Sequence, residues 1–170
     1  MVSVVHKEHL QLKRLLIVFC GGFLGTLVRY LLSHTIQGIL GTGWPYDILL
    51  INITGAFVLA FLSTLADATV YVTPERRLFL NVGFLGAYTT FSSLALGDVN
   101  LFANQKIWLA LLYLAGSLLG GVLAALTGQF WGYKIVQRVR ARQSIGVQDQ
   151  DELLGVHAST QALRDEEQLY

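Results

Sequence analysis

GFLGAYTTFSS, residues Gly83 to Ser93, lies inside an apolar segment, Leu78 to Leu96, that is long enough to cross a bilayer. The run sets two glycines, two threonines, a tyrosine and two serines around Phe91. Lipid offers backbone N–H and C=O groups no partners. A helix broken at mid-membrane is therefore tolerated only beside protein or a water-filled path. A polar, glycine-bearing break at that depth points to something passing through the protein.

Composition agrees with a membrane setting. Of 170 residues, 54% are hydrophobic and 14% charged, with a mean hydropathy of +0.54. A soluble domain of this size is more polar. The single cysteine, Cys20, excludes an intrachain disulfide. Lys13 and Arg14 before the first apolar stretch suggest a signal peptide, but the stretch is too long. Arg29 and Tyr30 follow where small residues would mark cleavage, so the stretch reads as a retained helix.

Four apolar segments stand out: Leu15 to Leu32, Ile48 to Ala66, Leu78 to Leu96 and Ile107 to Phe130. A spanning helix needs about 20 residues. The reading is an all-α integral membrane protein of four transmembrane helices, with the third broken at mid-membrane. Ser33 to Asp47 reads as a turn-rich loop carrying Gly38, Gly41, Gly43 and Pro45. Thr73, Pro74 and Glu75 read as the start of helix three. Residues 1–133 form the transmembrane domain, and 134–170 a basic-then-acidic polar tail with at most a short helix near its end. Basic residues orient the chain. Lys7, Lys13, Arg14, Arg76, Arg77, Lys134, Arg138, Arg140 and Arg142 fall on the side of both termini and the middle loop, and the opposite loops hold Lys106 alone. Both termini are expected in the cytoplasm.

Small residues recur every four positions at Gly116, Gly120, Ala124 and Gly128, and at Gly21 and Gly25. Such stripes let helices approach closely, either within one subunit or between two. Arg29 is the only basic residue deep in an apolar segment. It must snorkel, pair or face a wet vestibule, since an unpaired charge there costs roughly 2.5–3.5 kcal/mol. Asn52 either joins two helices or offers its amide to a ligand. Thr54 and Ser63 bond readily to their own helix. Tyr113 and Ser117, one turn apart, bring two hydroxyls into an otherwise apolar helix. Asp47, Asp67 and Asp98 all fall at segment edges. A proton-coupled exporter needs a carboxylate within the membrane, whereas hydroxyls, amides and one guanidinium suit an anion. Enzyme signatures are missing. His6 and His9 precede the membrane without further ligands, His34 stands alone, and Gly21 to Gly25 lacks the lysine of a phosphate loop.

GGFLGTLVRY (Gly21 to Tyr30), the LINITGAF stretch around Asn52 and Gly55, and GFLGAYTTFSS stand in the first three of the four spans. In order and spacing they resemble the small fluoride channels, the CrcB or Fluc proteins, over about residues 15 to 133. The resemblance implies a passive, fluoride-selective channel of the cell (inner) membrane. It would be an antiparallel dimer with two pores, with lipid as its surroundings, fluoride as its ion and no nucleic acid partner. It implies a central structural Na+ at the dimer interface, held by backbone carbonyls of Gly86 and Thr89. It implies Phe91 as the pore phenylalanine, with Asn52, Ser92, Tyr113 and Ser117 lining the pore, and Arg29 as the vestibule arginine.

The chain departs from the family pattern at Leu94, where a second phenylalanine is usual, and at Ala87, Ala95 and Gly97. These departures, with the strong charge bias, raise a second possibility: one half of a heterodimer whose oppositely oriented homologue supplies the missing ring. A small multidrug-type exporter and a non-conducting partner subunit are the competing readings. The orientation is testable by cysteine labelling. In a Cys20→Ala background, a cysteine placed beside Lys13 or just after Tyr133 is expected to react with an impermeant thiol reagent from the cytoplasmic side only. Labelling from outside overturns the assignment.

Overall fold

A computed structural model describes the backbone of residues 2–68 and 73–167 and the side chains of residues 8–67 and 73–141. The side chains of Lys7, Arg142 and the tail acids lie outside those described. In chain order the elements are α1 (Val2–Leu40), α2 (Tyr46–Ala68), α3 (Pro74–Arg77), a π-helical stretch (Leu78–Leu85), α4 (Gly86–Tyr88), α5 (Phe91–Ala103) and α6 (Ile107–Glu167). No strand occurs among the described residues. Four stretches are long and apolar enough to cross a membrane: Glu8–Leu40, Tyr46–Asp67, Pro74–Ala103 and Ile107–Ala141. The third is assembled from pieces. Two compact units divide the chain, Met1–Tyr133 and Lys134–Tyr170.

Local chemistry sets the ends of these elements. Thr73 accepts a hydrogen bond from Arg76 N–H at 3.4 Å, and Pro74 follows at the first helical position, where a missing N–H costs nothing. α1 runs eight residues beyond Leu32, so the segment expected to be a loop from Ser33 is largely helical. It ends at Gly41, whose N–H bonds Gln37 C=O at 2.9 Å and whose φ of +80° suits glycine. Ser33 and Gln37 stay helical because both donate to Asp47 at the start of α2, Gln37 at 2.8 Å. Asp47 is 3% exposed. α5 likewise runs past Leu96 to Ala103 because Leu101 continues its buried face. Asp98 therefore sits within a helix and not at a segment edge. The region after Tyr133 is helical to Glu167, where a polar tail with a short helix was expected. It holds no proline, and straight-chain Gln, Arg, Glu and Leu favour helix.

Backbone-to-backbone approach organises the packing. A Cβ on Gly25 would lie 2.1 Å from Phe84 O, one on Gly21 2.4 Å from Phe79 O, and one on Gly83 2.8 Å from Val18 O. α1 and the π-helical stretch therefore touch through glycine, as small residues permit in lipid. Two glycines of the α6 stripe serve contacts within the protomer. Gly120 faces Ile53 and Gly128 faces Phe57 C=O, at Cβ distances of 2.8 and 2.3 Å, whereas Gly116 meets nothing within 4 Å. Only 11 to 22% of each spanning window is buried inside the chain, which leaves most of the apolar surface to lipid or a partner.

The α1 contact predicts contrasting substitutions. Gly25→Ala is expected to destabilise by about 1–3 kcal/mol through overpacking. Gly38→Ala, with nothing within 4 Å, should be neutral or gain about 0.5–1 kcal/mol by removing a mid-helix glycine. Denaturation of the two purified variants checks the contrast.

Candidate functional site: the break in the third span

α4 ends at Tyr88, and α5 begins at Phe91. Between them Thr89 (φ −79°, ψ 154°) and Thr90 (φ −150°, ψ 122°) are extended. The expected break is present, and it spans these two residues. The N–H groups of Thr89, Thr90 and Ser93 each have a partner. Thr89 N–H bonds back to Leu85 C=O at 3.1 Å, and its hydroxyl donates to the same carbonyl at 3.0 Å. Thr90 N–H donates to Asn52 Oδ1 and Asn52 Nδ2 donates to Thr90 C=O, both at 2.9 Å. One amide side chain on α2 thus stands in for a stretch of helix. Thr90 also caps α5. Its Oγ1 accepts from Ser93 N–H at 3.2 Å, donates to Ser93 Oγ at 3.1 Å and shares a hydrogen bond with Ser92 Oγ at 3.1 Å.

α2 is shaped to receive the break. Gly55 faces it, and a Cβ there would lie 2.3 Å from Thr89 Cγ2 and 3.1 Å from Tyr88 Cδ1. Thr54, one residue earlier, shares a hydrogen bond with Tyr88 OH at 3.0 Å. Tyr88 stacks on Phe84 with ring centroids 6.1 Å apart. Ile51, Leu85 and Tyr88 form a buried cluster behind the break.

The carbonyls are left differently. In a continuous α-helix, Gly86 C=O would accept from Thr90 N–H and Thr89 C=O from Ser93 N–H. Both donors are turned away, the first to Asn52 Oδ1 and the second to Thr90 Oγ1. Carbonyl oxygens with lone pairs to spare are hard donors that suit an alkali cation, so Gly86 and Thr89 fit the sodium that the resemblance implies. The described residues contain no His, Cys, Asp and Glu cluster for a transition metal.

The other expected site residues divide into two groups. Tyr113 and Ser117 on α6 are 0% and 7% exposed, and neither hydroxyl has a hydrogen-bond partner. Tyr113 packs with Leu94, Leu101 and Ala110, edge-on to Trp44 at 5.4 Å. One carboxylate oxygen of Asp98 is likewise buried without a partner. Phe91 is instead 76% exposed at the protomer surface, and Ser92 beside it is exposed. Arg29 is half-buried and forms no ion pair among the described residues. Between α1, α2 and α5 an opening of about 460 Å³ is lined by Ser33, Gln37, Asp47, Ser93, Asn100 and Lys106, among others. Sequence reading missed Thr90, although Thr-x-x-Ser before an apolar turn carries an N-cap signal. The Ser33–Asp47 and Thr54–Tyr88 pairs are tertiary and leave no local trace.

Comparison with known proteins shows the family to which the chain is similar. The family model for CrcB-like protein, Camphor Resistance (CrcB), matches residues 16–129. Among curated proteins, the fluoride-specific ion channel FluC of Chlorobium luteolum is 44% identical over 113 residues, covering 66% of this chain and 87% of that protein. A FluC protein of Thermus thermophilus is 41% identical over 124 residues, 73% and 97% of the two chains. That of Acidobacterium capsulatum is 39% identical over 119 residues, 70% and 95%.

The unpartnered hydroxyls make a prediction about stability. Leaving such a group buried costs about 1–3 kcal/mol. In fluoride-free buffer, Tyr113→Phe and Ser117→Ala are expected to raise the melting midpoint of the purified protein. Thr54→Val, which removes the bond to Tyr88, should lower it.

Proposed function

We propose that this chain, which belongs to the CrcB-like protein family, is a fluoride channel: a multi-pass membrane protein that passively exports fluoride from the cytoplasm as an antiparallel dimer. One observation carries the proposal. The third span opens at Thr89 and Thr90, at a depth where lipid would leave peptide groups unsatisfied.

Fluoride is small and holds its water tightly. A pore must replace that hydration with inward donors, yet bind weakly enough for the ion to leave. The residues present suit this. Tyr113 and Ser117 hold buried hydroxyls with no internal partner. Asn52 spends one N–H and its oxygen on Thr90, which leaves one amide N–H for a passing ion. Phe91 presents a ring whose edge is electropositive. Arg29 adds a positive charge with no carboxylate paired to it among the described residues. Conduction by these groups needs no chemical transformation, so the chain is no enzyme.

A second subunit answers two features of the protomer. Phe91 is exposed while Tyr113 and Ser117 are buried, so one chain presents the two kinds of wall in different settings. An inverted copy would bring Phe91 of one chain towards the hydroxyl track of the other. It would also bring two sets of released carbonyls together at mid-membrane. Gly86 and Thr89 of both chains would hold Na+ there, which when bound supplies a fixed central charge tying the two breaks. The basic residues set the termini on the cytoplasmic side.

Leu94 supports one further reading. It is 6% exposed and shares a cluster with Tyr113, so an aliphatic chain lies where an aromatic edge would face the hydroxyl track. In a heterodimer, an oppositely oriented homologue would supply that ring. A proton-coupled exporter fits less well, because Asp47 and Asp98 both lie towards the Lys106 end of their helices.

Liposomes holding the purified protein and potassium fluoride test the proposal. Fluoride efflux, read by electrode without an imposed proton gradient, is expected from the wild type. Phe91→Ile is expected to cut it by more than about tenfold, a change of about 1.4 kcal/mol in barrier. No efflux from the wild type overturns conduction by this chain alone. Efflux that survives Phe91→Ile removes Phe91 from the pore wall.

A further inference from the structure

Two side chains at the break, Asn52 from α2 and Thr90 within it, do more than fill space. In regular helix each carbonyl accepts from the N–H four residues ahead. Across residues 86–93 that rule pairs Gly86 C=O with Thr90 N–H, and Thr89 C=O with Ser93 N–H. In this structure Asn52 Oδ1 takes the first donor at 2.9 Å and Thr90 Oγ1 takes the second at 3.2 Å. The two carbonyls whose donors go to side chains are the two that the sodium reading names. No other carbonyl of the break is deprived by a side chain in this way among the described residues.

The protein has alternatives that would have kept the carbonyls covered. A valine at position 90 has the β-branched shape and the same tolerance of extended backbone, but it cannot accept from Ser93 N–H, which would return to Thr89 C=O. A leucine at 52 packs as well in an apolar helix, but it leaves Thr90 N–H without a partner. That N–H would turn back to Gly86 C=O, since an unpaired buried donor costs about 1–3 kcal/mol. The neighbours hold the clamp rigid. Gly55 seats Thr89, and the Thr54–Tyr88 bond at 3.0 Å fixes the last residue of α4.

We propose that Asn52 and Thr90 are positioning residues for a monovalent cation: by taking the N–H groups of Thr90 and Ser93, they hold Gly86 and Thr89 C=O free to coordinate it. The inference rests on the sodium reading above. It assigns Asn52 a structural hold on the cation site separate from any contact with fluoride, and it assigns Thr90 a task beyond capping α5.

The test is a Na+ titration of the full-length protein in a background of N-methyl-D-glucamine, read as the melting midpoint and requiring no ion flux. The wild type is expected to gain stability with Na+. Thr90→Val and Asn52→Leu are each expected to need about tenfold more Na+ for half the gain, about 1.4 kcal/mol of binding. Thr90→Ser, which keeps the hydroxyl acceptor, is expected to restore the wild-type midpoint within about twofold. A purely structural role predicts something else: lower melting at every Na+ concentration with the titration midpoint unmoved. That result overturns the inference and leaves the sodium reading standing. A wild type indifferent to Na+ overturns both. Should Thr90→Val fail to fold, the titration of Asn52→Leu against Thr90→Ser decides by the same criterion.

Discussion

A peptide group inside a bilayer has nothing but protein to bond to, and Thr89 and Thr90 interrupt a helix where that rule is strictest. The rest of the protomer is arranged around meeting the demand. Asn52 reaches from α2 with one donor and one acceptor and closes both open backbone groups of Thr90. Thr90 then caps the helix that follows. With these bonds in place the break costs little. Without them two or more polar groups would lie unsatisfied, each at about 1–3 kcal/mol.

Holding Asn52 opposite Thr90 requires that the half-span before the break be immobile. Glycine does this, letting α1 approach until Gly25 and Phe84 C=O are in backbone contact. Packing of this kind gains its energy from close van der Waals contact, because lipid tails are as apolar as leucine and supply no hydrophobic drive between helices. The half-span after the break is held differently, by Leu94 and Leu101 against Tyr113 and Ala110. One half is thus seated on bare backbone and the other on side chains, with the two threonines between them.

Much of this was legible in the chain. Four apolar segments fixed the helix count, and the polar run around Phe91 located the interruption, because both signals are matters of composition at a given depth. Pro74 after Thr73 marked a helix start correctly for the same local reason. What escaped reading was tertiary. Ser33 and Gln37 look like loop residues until Asp47 is seen to gather them. The stripe on α6 was ambiguous until Gly120 and Gly128 were found against α2. Asn52 reads as joining two helices or serving a ligand, but nothing near it in sequence reveals that its helix partner is Thr90, 38 residues away.

The π-helical stretch from Leu78 to Leu85 carries a consequence for how such a chain can evolve. A π turn holds more residues than an α turn. Losing one residue there would let the coil relax to ordinary pitch while the helix beyond Leu85 kept close to its present facing, because the wide turn already absorbs that residue. Phe91 would stay near its present face, and Thr90 opposite Asn52. A single deletion between Leu78 and Leu85 is thus absorbed by the wide turn, whereas a change in length that the turn cannot absorb rotates the break by about 100° per residue.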